Sequence, residues 1–307
     1  MKEKTRNKRR ISSLNYIIDT PQRATLYNLL AQKMYWADES ALRAYLFRED
    51  GFQKHISILK KILGDLKGKL ILDIGCGTGG LSLALRFEGA KVCGVDIFRG
   101  IEREDATISR VRASCYNLTL TLCQANAEVL PFKANIFDAV VSIGMIEHIL
   151  EKNARINVFN EAMRVLKSDG IFFVTAHPNR YVPYDIHFGF LPFVNWLPKF
   201  LRKPYVSLFK PIYIGTVEDT KNVSTQEFKQ YLRGMSTDII NVYPQMALPA
   251  GSNRQGKNKT FLSWISLIFT SMQIKSIVYW IARLMVWTST EIVVSLVARK
   301  RMEKTKS

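Results

Sequence analysis

The sequence predicts an α/β fold built on a mostly parallel sheet. Three observations carry that reading. Leu70–Ile74 is a short apolar run that breaks into Gly75, Gly77, Gly79 and Gly80, as a buried parallel strand does on turning tightly into a helix. Lys91–Asp96 is a second such run, and it ends in an acid roughly 20 residues after the glycine turn. Phe137–Ile143 and Ile171–Thr175 repeat the apolar run, with segments of helical period between them.

The elements follow in order. Residues 11–66 read mostly as helices: Leu26, Leu29, Leu30 and Met34, then Leu42, Tyr45 and Leu46, recur at helical spacing. His55, Ile58, Leu59 and Ile62 continue into a helix ending at Gly64, with His55 as a helix-face residue. The first strand, about 70–74, leads into a helix at about 79–88 that Gly89 terminates. The second strand is 91–96, a charged helix covers 99–117, and a third strand, about 119–124, alternates Thr and Leu. Strand four is 137–143. A helix over 151–167 has Ile156, Phe159, Ala162, Met163 and Leu166 on its apolar face, and strand five is 171–175.

The glycine loop is a ligand loop, because glycines let a backbone approach a ligand and the next helix offers free N–H groups. Gly75-x-Gly77-x-x-Gly80 fits the dinucleotide fingerprint, a weak signal alone. The fuller pattern Asp73-x-Gly75-x-Gly77-x-Gly79, followed by Asp96, by Gln124–Phe132 and by Glu147-His148, resembles the class I S-adenosylmethionine-dependent methyltransferases. The Glu-His pair past strand four is similar to small-molecule enzymes of that family, including quinone-biosynthesis O-methyltransferases. Arg164–Gly170 resembles the family's basic-leucine-lysine-x-x-glycine element. The resemblance covers about 70–177.

That resemblance implies a Rossmann-like class I fold: a seven-stranded mostly parallel sheet, helices on both faces, an N-terminal helical lid, and a last strand inserted antiparallel beside strand six. It implies S-adenosyl-L-methionine as cofactor. Asp73 would help to hold the methionine part, with Gly75, Cys76, Gly77 and Gly79 forming the loop. Asp96 would accept from both ribose hydroxyls, and Asn126, Ala127 and Glu128 would border the adenine. Asn126 departs from the family's usual Asp, although its side-chain oxygen still accepts from an amino group.

His148 is a candidate proton acceptor for an acceptor hydroxyl; alternatively, Glu147 and His148 order the loop around the methionine end. Asp185 and His187, two apart in a Pro-rich loop, are a second candidate, one orienting the other as base, or else a loop-stabilising pair. The three catalytic candidates are thus His148, His187 and Asp185. No metal is expected: the cysteines Cys76, Cys93, Cys115 and Cys123 form no C-x-x-C pair and no His–Cys cluster.

After strand five the composition changes, and eight of the ten prolines fall between 178 and 249. They argue against one long helix there. His177–Pro198 resembles a bacterial and archaeal subset of the family with an Asn-Arg, an Asp-x-His and a double Leu-Pro element. Phe188, Phe190, Phe193, Trp196 and Phe200, beside Lys199, Arg202 and Lys203, either wall an acceptor pocket or rest on a membrane interface. Ser224 caps a helix from Thr225 to about Arg233, strand six is 238–243, and strand seven is 290–299. Between them, 261–273 and 276–288 read as apolar helices shorter than the roughly 20 apolar residues of a membrane span. They cover the acceptor site or lie on a bilayer. The expected organisation is a basic tail and helical lid (1–66), a cofactor-binding core (67–177), an acceptor-site insertion with strand six (178–249), an apolar helical insertion (250–289), and a final strand with basic tail (290–307).

The formal charge of +18 bears on partners. Residues 1–10 hold six basic side chains against one acid, and residues 299–307 five against one. Half the excess thus sits in two tails that are solvated or dock on an anionic membrane or nucleic acid. RNA methylation is the less favoured partner reading: strand four ends in Ser142-Ile143-Gly144-Met145, without the Pro-Pro-aromatic element of base amino methylation, and the basic residues are not interleaved with aromatics. The expected acceptor is a small molecule, a glycan or a lipid-linked compound, and the expected compartment is the reducing cytoplasm, either free or peripheral on the membrane. A nicotinamide enzyme and a non-catalytic, membrane-associated cofactor-binding scaffold are the remaining alternatives.

Overall fold

The computed structural model describes residues 19–34, 39–98, 104–177, 179, 184–188, 191–209, 221–240 and 294–301. The predicted helices at 261–288, the whole N-terminal basic tail and residues 302–307 lie outside these. In chain order the elements are α1 (Pro21–Lys33), α2 (Glu39–Leu46), a 3-10 turn (Arg48–Phe52), α3 (Gln53–Leu63), β1 (Leu70–Ile74), α4 (Gly80–Phe87), β2 (Lys91–Asp96), α5 (Asp105–Ser114), β3 (Thr121–Gln124) and β4 (Phe137–Ile143). Then come a 3-10 turn (Ile146–His148), α6 (Lys152–Val165), β5 (Leu166–Ala176), β6 (Tyr184–Asp185), β7 (Leu191–Pro192), α7 (Lys199–Phe209), α8 (Thr225–Tyr231), β8 (Thr237–Ile240) and β9 (Val294–Lys300).

The main sheet has seven strands in the order β3-β2-β1-β4-β5-β9-β8. The first five run parallel, while β9 pairs antiparallel with both β5 and β8. The expected seven-stranded, mostly parallel sheet with an antiparallel insertion is met. The predicted strands six and seven are β8 and β9, seen over 237–240 and 294–300.

The period-two alternation of the central strands sorts their side chains onto two faces. On one, Leu72, Val95, Val140, Phe172 and Val174 pack against Val158, Phe159 and Ala162 of α6 and Phe228 and Tyr231 of α8. On the other, Ile71, Val92, Ala139, Val141 and Phe173 pack against Ile56 and Leu59 of α3 and Leu81 and Leu85 of α4. α3 is therefore a layer of the sheet, while α1, α2 and α5 form a separate cluster around Leu26, Leu30, Leu42 and Ile108.

Two elements differ in extent from the sequence reading. β5 begins at Leu166, not Ile171: Leu166 pairs with Phe137, and the register shifts before Ala139 pairs with Ile171. Asp169 at φ 62 absorbs that irregularity. α5 ends at Ser114, followed by Asn117 at φ 54, a left-handed conformation that ends helices. The cap at Ser224 forms in full, its hydroxyl accepting from the Glu227 N–H while the Glu227 carboxylate accepts from the Ser224 N–H. In the proline-rich half the chain makes the antiparallel pair β6–β7 and then α7, with Pro204 inside that helix. Among the described residues no helix is long and apolar enough to cross a membrane.

Candidate active site

The site is built at the carboxyl ends of β1, β2, β4 and β5, where open parallel sheets bind ligands. At the end of β1 the backbone turns away at once. The N–H groups of Gly75 and Cys76 both donate to Val95 O, at 2.8 and 3.1 Å. Gly75 stands at φ 76, and a Cβ there would lie 2.4 Å from Met145 Cγ, so this glycine lets the β4 loop close onto the β1 loop. Gly77, at φ 47, would meet only Asp105 Oδ2 at 3.9 Å, so its surface is open to a ligand.

Asp96 ends β2 half-buried. Its Oδ2 accepts from Gly77 N–H at 2.8 Å and its Oδ1 from Ile97 N–H at 2.7 Å. The carboxylate is thus fixed against the glycine loop, with lone pairs left for hydroxyl donors. Asn126 is exposed beyond β3, its Oδ1 accepting from Glu128 N–H at 2.9 Å. Glu128 Oε2 in turn accepts from Asn157 Nδ2 at 3.3 Å. Ala127 packs against the core on the α6 side of the sheet.

Asp73 is placed differently from an open ligand contact. It is 2% exposed, and its Oδ2 accepts from Ser82 Oγ–H at 2.6 Å, tying the end of β1 to α4. Burial pushes its carboxyl up to about 7. Burial likewise holds the Cys76 thiol well above its ordinary range and Cys93 at about 11, so both are thiols at neutral pH. All four cysteines are free.

The helical cluster is joined to the loop by Arg112, a residue the sequence reading passed over. Its guanidinium is fully buried and donates to Thr78 O at 2.9 Å, Leu46 O at 3.0 Å, Tyr45 O at 2.8 Å and Glu49 Oε2 at 3.0 Å. Ser109 Oγ–H donates to Gly77 O at 2.8 Å, and Lys33 reaches Asp105.

The acceptor side lies beyond β4. Glu147 is 1% exposed; its Oε1 lies 2.8 Å from His177 Nδ1 and 3.2 Å from the His177 backbone N. Lys221 N–H donates to Glu147 O at 2.6 Å. Buried Arg155 holds the following turn through Ile149 O and Leu150 O at 2.5 and 2.9 Å. His148 is exposed, and its ring meets that of His187 edge-on at 5.6 Å between centroids; His187 is also 6.2 Å from His177. The structure therefore brings His148 and His187 together, from loops distant in sequence. Asp185 sits in β6, and its side chain lies outside the described part. His177 was not a sequence candidate; the signal that finds it is its place directly after β5. His55 is half-buried in α3 near Phe52 and Phe173, where loss of solvent lowers its pKa to about 4.

Comparison with known proteins bears directly on this arrangement. A family model described as a methyltransferase domain matches residues 72–174, the segment from β1 to β5. The ubiquinone biosynthesis O-methyltransferase of Bartonella tribocorum is 26% identical over 172 residues, covering 56% of this chain and 61% of that protein. These matches support a class I S-adenosylmethionine-dependent methyltransferase domain over residues 72–174. The demethylmenaquinone methyltransferase of Symbiobacterium thermophilum is 36% identical over 139 residues, covering 42% of this chain and 53% of that protein. The chain thus spans less than two thirds of the length of both. The solved phosphoethanolamine N-methyltransferase 2 of Haemonchus contortus, in complex with S-adenosyl-L-methionine, shares the fold with a TM-score of 0.50 at 19% identity, covering 82% of this chain and 53% of that one.

The cofactor of this methyltransferase family is S-adenosylmethionine, and the residues present fit it. Asp96 stands at the end of β2 with acceptor capacity toward a ribose, Gly77 leaves open backbone beside it, and Asn126 and Glu128 border the same edge one strand further.

Proposed function

We propose that the chain transfers the sulfonium methyl of S-adenosylmethionine to an oxygen of a small-molecule, glycan or lipid-linked acceptor. The observation that carries this reading is the contact of the two halves of the site. Met145 lies directly against Gly75 of the cofactor loop, and three residues later His148 faces His187. An acceptor held at that ring pair is next to the cofactor's methyl end. In the transfer the acceptor oxygen's lone pair forms the C–O bond, the C–S pair goes to sulfur to leave S-adenosylhomocysteine, and the hydroxyl proton passes to a ring nitrogen of His148 or His187. Most of the rate gain comes from holding the reactants aligned, worth up to about 7–11 kcal/mol. His148 and His187 are the residues proposed to act on the acceptor, with Asp185 two residues before His187.

The preference for a lipid-linked acceptor rests on α7. Phe200 and Leu208 are each 76% exposed and Phe209 is exposed beside them, on a helix that also carries Lys199 and Lys203. An apolar face flanked by lysines suits an anionic bilayer surface. Names of the quinone methyltransferase relatives point to the same acceptor class.

The test is calorimetric titration of the purified chain with S-adenosylmethionine and, separately, with NAD. Binding of the first alone, abolished by Asp96→Ala, followed by methyl transfer to a lipid or glycan extract, supports the reading. A folded sample that binds no S-adenosylmethionine refutes it and leaves a scaffold in its place.

A further inference from the structure

The two histidines of the acceptor side are joined by a buried carboxylate, a grouping that proton transfer alone does not require. One carboxylate oxygen of Glu147 and one ring nitrogen each of His148 and His187 all lie within 4.8 Å of one another. We propose that these three side chains bind one divalent transition-metal ion.

Three observations support the assignment. First, Glu147 is buried, and its two oxygens differ. Oε1 accepts from His177, whereas Oε2 is buried without a hydrogen-bond partner among the described residues. An unpaired buried carboxylate oxygen is costly, and a cation offsets that cost directly. Second, the ligand backbone is held rigidly. Lys221 N–H fixes Glu147 O, Met145 O fixes the His148 N–H, and Arg155 clamps the next two carbonyls. Third, there is an outer partner of the kind metal sites use to orient a ligating carboxylate. The His177 ring reaches Glu147 by crossing Gly144, where a Cβ would lie 2.9 Å from His177 Cε1, so glycine at 144 makes room for it.

Donors around an ion with bonds of about 2.0–2.2 Å stand roughly 3–4 Å apart. Two imidazoles and one carboxylate select zinc, iron(II), cobalt(II) or manganese(II) over the all-oxygen preferences of magnesium and calcium. Since His148 is exposed, the ion's remaining positions face the acceptor side. No metal was expected from the sequence because the donors come from two loops and form no spacing motif.

The assignment deepens the proposed transfer but is read without it. The full chain, stripped with a chelator, would be titrated with cobalt(II) and followed by its visible ligand-field bands, and with zinc by calorimetry. One ion per chain is expected. Glu147→Gln, His148→Ala and His187→Ala should each weaken binding at least tenfold, and His177→Gln about 10–100-fold. His148 is solvent-exposed, so His148→Ala reports on the metal without disturbing packing. Absence of saturable binding at micromolar ion, or binding indifferent to His148→Ala and Glu147→Gln, overturns the proposal. S-adenosylmethionine titrations on the same samples read the transfer hypothesis separately, so either can fail alone.

Discussion

Replacing Asp73 by Asn and, separately, His55 by Leu pulls apart two titrations that oppose one another in the wild-type chain. Burial raises the Asp73 carboxyl from 3.8 to about 7. The folded state therefore keeps a proton that the unfolded chain gives up above about pH 4. This group's contribution to stability is full below that pH and is lost as pH rises toward 7. Burial lowers His55 from 6.5 to about 4. Here the unfolded chain takes up a proton that the folded chain refuses, so stability is full above about pH 6.5 and is lost as pH falls toward 4. Between pH 5 and 8 the aspartate costs about 2.5 kcal/mol as pH rises, and the histidine returns about 2 kcal/mol. The wild-type protein should hide both. The assay is urea unfolding of the cofactor-free chain at pH 5, 6.5 and 8, followed by fluorescence of its five tryptophans. Asparagine keeps an acceptor for Ser82, and leucine removes the unpaired His55 Nδ1. The advantage of Asp73→Asn over wild type should grow with pH, and that of His55→Leu should grow as pH falls. Differences from wild type cancel the carboxylates common to all three proteins. A difference that is flat with pH, or that slopes the same way in both variants, refutes the reasoning.

Other expectations concern the loop and its supports. Gly75→Ala combines φ 76 with a 2.4 Å approach to Met145, and should cost at least about 2 kcal/mol in urea melts and abolish cofactor binding. Arg112→Met strands the buried Glu49 carboxylate and three carbonyls; a loss of about 3–5 kcal/mol is expected, with weaker S-adenosylmethionine binding by calorimetry as Thr78 is released. Ser224→Ala should cost about 1 kcal/mol in thermal melts while leaving the cofactor affinity unchanged.

The central sheet was legible because its strands are uninterrupted apolar runs. β1, β2 and β4 fall at the residues read from the sequence, and the glycine loop and Asp96 fall where spacing put them. Capping at Ser224 and the stop at Gly64 were legible because each is a local device with its own chemistry. What stayed hidden depends on contacts across the fold. Asp73 meets Ser82 only once the loop has folded back, and His177 meets Glu147 only once β4 and β5 lie side by side. Arg112 looks like any charge on an amphipathic helix until four acceptors, from residues 45–49 and from Thr78, converge on it. The early start of β5 was missed because Leu166–Gly170 carries turn residues, and pairing with Phe137 overrides that preference.

The place of β9 has a consequence for how the chain comes into being. Residues 294–300 fill the gap between β5 and β8, strand by strand from Ile171↔Arg299 to Ala176↔Val294. Lys300 Nζ then ties down the carbonyls of Met163 and Leu166. During synthesis the cofactor loop and five parallel strands emerge long before that plug does. Until it arrives, β5 presents an open edge of Ile171, Phe172, Phe173 and Val174, which is a template for pairing with other chains. A truncation that removes residues 294–300 should therefore yield aggregates, not a smaller folded domain.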